Sequence, residues 1–292
     1  MAILLPPHLP AINLLRQEDI EIDYVTLSSP PVLKIALLNL MPVKPTTETD
    51  FVRLLSASPL SMQLDLIKIK NHISKNTPES HLQAFYKNFE DVCHLHYDGL
   101  IVTGAPVELL AFEKVHYWDE LCEIFDWAHR QIRSTLYICW AAQAALYHFY
   151  GVPKYPLAQK MFGIFPHHIH QAGVPLFRGF DDVFFAPHSR HTEIRSADIL
   201  KIPELQLLSE SDESGVYVVM ADKGRDIFIT GHSEYAPETL HNEYMRDLSK
   251  GLSITMPKNY YVNDCIDKGI SVRWRAHANL LFSNWLNYYV LP

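Results

Sequence analysis

A cysteine, Cys139, lies where an apolar, strand-like run ends and small helix-forming residues begin, in the stretch LYICWAAQAAL (136–146). The first N–H groups of a helix are unpaired and carry the positive end of the helix dipole, which stabilises a thiolate there. The backbone N–H of Trp140 would point to the same place, where an oxyanion could develop. This pattern is typical of a nucleophile elbow. The alternative is a small buried apolar side chain, because free cysteine is among the most buried residue types.

A cysteine nucleophile needs a general base and usually a group that orients the base. Among the 16 histidines, His232 follows the apolar run IFIT and one glycine, and Glu234 comes two residues later. On an extended or turning backbone such residues can project to the same side, so Glu234 could orient His232 or bind a substrate group itself. A histidine at a strand end is more often simply exposed, and that alternative stays open. The other cysteines, at Cys93, Cys122 and Cys265, have no comparable placement.

The segment FPHHIHQ (165–171) places three histidines close together, and histidine is the commonest metal ligand. Its spacing does not match a zinc motif on a helix, and no cysteine or carboxylate pair accompanies it. The sequence contains neither a Walker A motif nor GxGxxG, so no glycine-rich loop is predicted to cradle a nucleotide. We therefore predict no metal and no bound cofactor.

Strand and helix patterns alternate through the first half of the chain, which predicts an α/β fold with a mostly parallel sheet flanked by helices. The strands are predicted at 32–41, 61–70, 97–106 and 136–139. A helix is predicted between the second and third of them, at NTPESHLQAFYKNFEDV. Ligands of such sheets bind outside the carboxyl ends of the strands. We expect the site to be lined by NLMPVKP, VTGAP and CWA.

The second half is predicted to contain more strand, at DDVFFAPHSRH, GVYVVMADKG and RDIFITGHSEY. A helix at ETLHNEYMRDLSKGL and a final amphipathic helix at RWRAHANLLFSNWLNYYV follow. The first 30 residues are rich in proline and leucine. We predict an N-terminal arm at 1–30 and, because no long linker divides the remainder, a single α/β domain at 31–292.

The composition is that of a soluble globular protein, with 48% hydrophobic residues, 20% charged residues and a net charge of −8. This charge and the lack of a basic stripe argue against nucleic acid as a partner. No apolar run approaches the roughly 20 residues that cross a bilayer, and the N-terminus lacks the basic region of a signal peptide. Four scattered cysteines without CxxC spacing indicate reduced thiols. We predict a cytoplasmic enzyme without a membrane partner.

The chain resembles the homoserine O-acyltransferases, of trans-succinylase or acetyltransferase type, in the class I glutamine-amidotransferase-like superfamily. The matching stretches are LNLMP, NTPESHL, DGLIVTGAP, CWAAQAAL, YGVPKYPL, FFAPHSRHTE, GHSEY, KNYY and NLLFSNWLNYYV. They span almost the whole chain in order. The resemblance implies the flavodoxin-like fold of this superfamily and a homodimer.

The resemblance further implies that Cys139 takes the acyl group from acyl-CoA as a thioester. It makes His232 the general base, with Glu234 completing the site, and an amino-acid acceptor then attacks the thioester through its hydroxyl. Family substrate-binding positions fall on Lys160, Ser189 and Arg246. Arg246 offers a bidentate fork for an α-carboxylate, although without the resemblance an ion pair on a helix surface is the simpler interpretation. Ser189 can hydrogen-bond a small polar acceptor.

The resemblance also assigns the acyl specificity to Glu108, because succinyl-CoA users of this family carry glycine there. A carboxylate at this position would repel the succinyl carboxylate and occupy the space that the succinyl group needs. The repulsion between two such like charges costs several kcal/mol. Acetyl-CoA is therefore the predicted co-substrate. Lys44 lies in the loop after the first predicted strand, where the family carries a lysine near the active site.

The loop after that strand departs from the family pattern. Val43, Pro45 and Thr46 replace the usual lysine, isoleucine and glutamate, and Ala278 stands at a usual glycine. Since one methylene is worth only ~1–3 kcal/mol of discrimination, the acceptor is L-homoserine, for methionine biosynthesis, or alternatively L-serine, for cysteine biosynthesis. A succinyl-CoA donor and a glutaminase-type hydrolase are less favoured, and the missing G-x-C-x-G glycines argue against the hydrolase. The intact Cys139, His232 and Glu234 argue against a non-catalytic binding protein.

Overall fold

The computed structural model describes residues 3–24, 33–70, 72, 74, 76–171 and 173–291. Among these residues, 12 strands form one sheet and helices cover both of its faces. In chain order the elements are β1 (Ile3–Leu5), α1 (Ala11–Gln17), β2 (Ile22–Tyr24), β3 (Leu33–Leu38), α2 (Lys44–Leu55), β4 (Met62–Lys68), α3 (Glu79–Phe85), β5 (Tyr86–Asn88), α4 (Phe89–Val92), β6 (Gly99–Val102), α5 (Trp118–Gln131), β7 (Ser134–Ile138), α6 (Trp140–Tyr150), β8 (Tyr155–Ile169), β9 (Val183–Glu193), α7 (Ser196–Ile199), β10 (Leu205–Ser211), β11 (Gly215–Ala221), β12 (Asp226–Ile229), α8 (Thr239–Ser249) and α9 (Arg275–Trp285).

One side of the sheet, from its edge strand β2 to β12, is parallel and confirms the predicted fold class. Its strand order is β2-β1-β4-β3-β6-β7-β12, and each neighbouring pair in this run is parallel. The four strands predicted in the first half correspond to β3, β4, β6 and β7. β3 lies in a continuous apolar run because helices cover both faces of the sheet, and every residue of β7 is buried. The carboxyl ends of β3, β6, β7 and β12 therefore meet at one edge of the sheet.

An antiparallel extension follows β12, in the order β11-β10-β8-β9. β8 and β10 were not predicted from the sequence. In β8 the burial does not alternate regularly and the sequence includes two prolines. The histidine-rich segment that raised a metal hypothesis lies in this long strand. There His167 is buried and stacks on His188, with ring centroids 5.1 Å apart. Within the described residues, no group of three or more His, Cys, Asp or Glu could hold a metal ion.

The helix predicted between the second and third strands is interrupted. β5 separates α3 from α4 and pairs in parallel with the end of β4. Tyr86, the first residue of β5, donates its hydroxyl hydrogen to the buried carboxylate of Glu48 at 2.5 Å. Tertiary contacts therefore hold three residues extended within a sequence whose local pattern is helical.

The residues of the predicted N-terminal arm extend the edge of the sheet where the structure describes them. β1 pairs with β4 on one side and with β2 on the other, and Ile12 and Leu15 of α1 are buried in the core. The predicted boundary at residue 30 lies outside the described residues. No helix in the described ranges is both long and apolar enough to span a membrane.

Candidate active site

Cys139 occupies a strained corner between β7 and α6. Its backbone has φ 54° and ψ −115°, a region that costs a non-glycine residue roughly 1–3 kcal/mol. The backbone N–H donates to the carbonyl of Ile229 at 2.7 Å, which ties the corner to the end of β12. At the end of β6, a Cβ on Gly104 would lie 3.2 Å from the Cβ of Cys139. The missing side chain of Gly104 therefore leaves the space in front of the thiol open.

His232 and Glu234 lie in the segment that follows β12. The Nδ1 of His232 is 2.6 Å from the Oε1 of Glu234, and both side chains are buried. The ring of Tyr235 stacks on the imidazole at 4.1 Å, nearly parallel to it. The backbone N–H of His232 donates to the carbonyl of Pro187 at 2.8 Å. The imidazole is thus held by Glu234 and Tyr235, and the backbone of His232 is held by Pro187.

The electrostatics of this pair favour a proton on the imidazole. Burial by itself lowers the pKa of His232, but negative charge on Cys139 and Glu234, with the hydrogen bonds that both side chains make to the ring, raises that pKa well above its ordinary value. The second carboxylate oxygen of Glu234 is buried without a hydrogen-bond partner among the described residues. The arrangement can accept a proton from the thiol and hold it as imidazolium.

Trp140 can contribute to the site through its backbone only. It is the first residue of α6, so its N–H is among the groups that the helix itself leaves unpaired. Its indole is fully buried and packs near Phe112 and Tyr117, with ring centroids 6.0 and 6.3 Å away.

A cavity of about 730 Å³ opens in front of the cysteine. Of the residues predicted from the sequence, it brings together Cys139, His232, Lys160, Ser189, Arg246 and Glu108. The walls come from the loop after β3, from α2, the turn after β6, the corner between β7 and α6, β8, β9, the segment after β12 and α8. The carboxyl ends of the strands therefore line the site, as the parallel topology predicts.

A carboxylate that the sequence reasoning missed, Glu243, links the three predicted substrate-binding side chains. Its Oε1 is 2.6 Å from the Nζ of Lys160, its Oε2 accepts from the hydroxyl of Ser189 at 2.9 Å, and the guanidinium of Arg246 lies 3.5 Å away. Arg246 also pairs with Asp247, so the surface ion pair considered earlier is present too. The spacing of Glu243 and Arg246, three residues apart on α8, was the available signal.

The side chain of Glu108 is fixed at the cavity wall. It lies in the turn after β6, and its Oε1 accepts from the backbone N–H of His191 at 3.1 Å. The residue lines the cavity together with Cys139. Its carboxylate is therefore held at the wall of the cavity that also contains Cys139.

Lys44 does not line the cavity with its ammonium group in this structure. Its Nζ donates to the backbone carbonyl of Asn39 and lies 3.4 Å from that of Met41. Burial lowers the pKa of Lys44 to about 8, although the nearby Glu48 opposes the shift. The predicted supporting role would therefore pass through the backbone at the start of α2, where Lys44 is the first residue and Thr46 lines the cavity.

Asp50 is a second buried carboxyl that the sequence reasoning did not select. It lies in α2 and lines the cavity. Burial raises the pKa of Asp50 to about 7; the neighbouring Arg53 opposes this shift, and the charge of Glu234 adds to it. A carboxyl group that changes charge near neutral pH thus lies next to the His–Glu pair.

The fold is that of the class I glutamine-amidotransferase-like proteins. A glutamine amidotransferase from Thermotoga maritima superposes with a TM-score of 0.55, over 87% of this chain and 96% of that chain. The sequence identity is 11%, so this likeness concerns the fold alone.

Within this class, the chain belongs to the homoserine O-succinyltransferase family, whose sequence profile matches residues 2–292. It is 63% identical to the homoserine O-acetyltransferase of Phocaeicola vulgatus, over 99% of this chain and 96% of that protein. It is 62% identical to the homoserine O-acetyltransferase of Azobacteroides pseudotrichonymphae, over 99% of this chain and 93% of that protein. The protein is an acyltransferase, and the predicted family resemblance is confirmed.

Proposed function

We propose that the protein transfers an acetyl group from acetyl-CoA to the side-chain hydroxyl of L-homoserine, through an acetyl thioester on Cys139. The observation that carries this proposal is the buried Cys139–His232–Glu234 arrangement beside a cavity that is also lined by the polar side chains of Lys160, Ser189 and Arg246. Relatives at 61–63% identity over nearly the whole chain support it, because each is named homoserine O-acetyltransferase. We also propose a cytoplasmic homodimer, on the family resemblance.

In the first half-reaction, His232 takes the proton of the Cys139 thiol, and the sulfur attacks the carbonyl carbon of acetyl-CoA. The negative charge that develops on the carbonyl oxygen faces the unpaired N–H of Trp140. The bond between the carbonyl carbon and the CoA sulfur then breaks. The imidazolium returns its proton to the departing CoA thiolate, which leaves an acetyl thioester on the enzyme. Glu234 holds the imidazole in orientation throughout.

In the second half-reaction, L-homoserine occupies the polar part of the cavity. Arg246 has the geometry to bind the α-carboxylate through two parallel hydrogen bonds, and Glu243 supplies a carboxylate for the α-ammonium group. His232 then takes the proton of the hydroxyl as its oxygen attacks the thioester. The thiolate of Cys139 departs and regains the proton from His232, which returns the enzyme to its starting state.

The choice of acetyl over succinyl rests on Glu108. The family profile carries the name of the succinyl enzyme, whereas the similar relatives carry that of the acetyl enzyme. In this chain a carboxylate lines the cavity at residue 108, and it would lie close to the terminal carboxylate of a succinyl group.

Steady-state release of CoA tests the proposal. We expect release from acetyl-CoA with L-homoserine to exceed release with L-serine or from succinyl-CoA, and we expect Cys139→Ser to abolish it. Faster release of CoA with L-serine would show that L-serine is the acceptor, although the names of the relatives do not favour this alternative. Release of ammonia from glutamine without any acyl transfer would indicate the hydrolase instead.

A further inference from the structure

The mouth of the catalytic cavity carries exposed apolar side chains that the mechanism above does not use. Leu109 is 72% exposed, Leu110 47%, Leu252 55% and Val43 47%, and all four line the cavity. We call these four residues the apolar rim. Single exposed apolar residues are ordinary on a protein surface, but several gathered around one opening mark a binding site.

The turn that carries Leu109 and Leu110 is fixed in place. The Nζ of Lys154 donates to the backbone carbonyls of Glu108 at 2.6 Å and Leu110 at 2.5 Å, and the N–H of Leu110 donates to the carbonyl of Val107 at 3.0 Å. The same ammonium lies 4.2 Å from the centre of the Phe112 ring. The fold therefore uses a partly buried lysine to hold two leucines outward, where they add nothing to the core.

The occupant that these observations favour is the long arm of the acyl donor. The rim is continuous with the cavity that ends at Cys139, so a thioester that reaches the sulfur has its remaining length at the rim. The pantetheine arm of CoA carries methylene groups and a dimethyl carbon between and beside its two amides, and it is joined to a diphosphate. Lys250 is exposed at the same mouth and offers a positive charge to such a phosphate.

We propose that the apolar rim binds the pantetheine arm of acyl-CoA and that Lys250 contacts its phosphates. The inference rests on the proposed function and adds the surface that recognises the donor beyond its acyl group. A donor that lacks most of the arm gains nothing from the rim. The rim therefore distinguishes full-length CoA thioesters from short ones.

The test compares two leucines of equal exposure, one in the rim and one remote from it. Leu109→Ser is the test variant, and Leu200→Ser is its control, since Leu200 is 71% exposed and does not line the cavity. Each variant is assayed with acetyl-CoA and with S-acetyl-N-acetylcysteamine, at saturating L-homoserine. We expect Leu109→Ser to lower kcat/KM for acetyl-CoA about tenfold, the order expected for losing the burial of one leucine. Leu200→Ser should leave it unchanged, and the short thioester should react equally with all three proteins.

Two results would overturn the inference. Equal kcat/KM values for Leu109→Ser and Leu200→Ser with acetyl-CoA would show that the rim does not bind the donor. An equal loss of activity with the short thioester would show that Leu109 supports the reacting groups, not the arm. If the unmodified protein accepts acetyl from neither donor, the proposed function itself fails and the inference falls with it, a result distinct from the other two.

Discussion

Replacing Glu108 by glycine should move the donor preference toward succinyl-CoA. The carboxylate lines the catalytic cavity and is held by the N–H of His191 at 3.1 Å, so it cannot turn away without losing that bond. Two like charges about 4 Å apart repel by about 4 kcal/mol at an effective dielectric constant near 20. Glu108 is partly exposed, and solvent screening reduces this to about 2 kcal/mol. The ratio of kcat/KM for succinyl-CoA to that for acetyl-CoA should therefore rise about 30-fold.

The assay measures CoA release from each donor at saturating L-homoserine. Glu108→Gln serves as the matched variant, because it removes the charge and keeps the size. It should reproduce the electrostatic part of the change without making room for the longer acyl group, so its ratio should lie between those of the unmodified protein and Glu108→Gly. An unchanged ratio in both variants would refute the assignment of donor selection to Glu108.

Three other substitutions test the structure at separate points. Glu234→Gln removes the negative charge that is hydrogen-bonded to His232. Because hydrogen bonds to charged groups contribute about 1.5–3 kcal/mol, kcat/KM should fall roughly 10- to 100-fold. An unchanged kcat/KM would contradict the orienting role of Glu234. Asp50→Asn tests the pKa that burial raises to about 7. The folded protein keeps a proton that the unfolded chain releases near pH 4, so Asp50 lowers stability progressively from pH 4 to 7. The variant should lack this decline. The difference between its free energy of unfolding, measured with urea, and that of the unmodified protein should therefore grow by up to about 4 kcal/mol from pH 4 to pH 7. Parallel pH profiles of the two proteins would contradict the raised pKa of Asp50. Gly163→Ala should lower the thermal midpoint by several degrees, because φ is 145° and a Cβ would lie 2.4 Å from the carbonyl oxygen of Lys258; an unchanged midpoint would contradict this close approach.

The central parallel strands and the cysteine corner were predictable from the sequence because local residues determine them. The run around Leu33–Leu38 is apolar since both faces of its strand are covered. Cys139 stands between an apolar strand and a run of alanines, a junction that the sequence displays directly. His232 and Glu234 follow the neighbouring strand, and parallel topology places the two carboxyl ends side by side.

The remaining features depend on contacts that the local sequence does not encode. The extended conformation of Tyr86 depends on Glu48, 38 residues earlier in the chain. In the sequence, Glu243 cannot be distinguished from the other charged residues of an amphipathic helix. Only the folded structure shows that β8 and β9 place Lys160 and Ser189 in contact with it. The position of Lys44 soon after β3 was predictable, but the structure places it as the first residue of α2, and the direction of its side chain was not predictable.

Formation of an acetyl thioester on Cys139 is the most direct test of the account. The protein would be mixed with acetyl-CoA without an acceptor, and the modified peptide would be identified by mass spectrometry after acid quenching. We predict one acetyl group on Cys139, which is removed by L-homoserine with formation of O-acetyl-L-homoserine and is absent in Cys139→Ser. Full turnover by Cys139→Ser, or acetylation at another residue with normal turnover, would contradict the account.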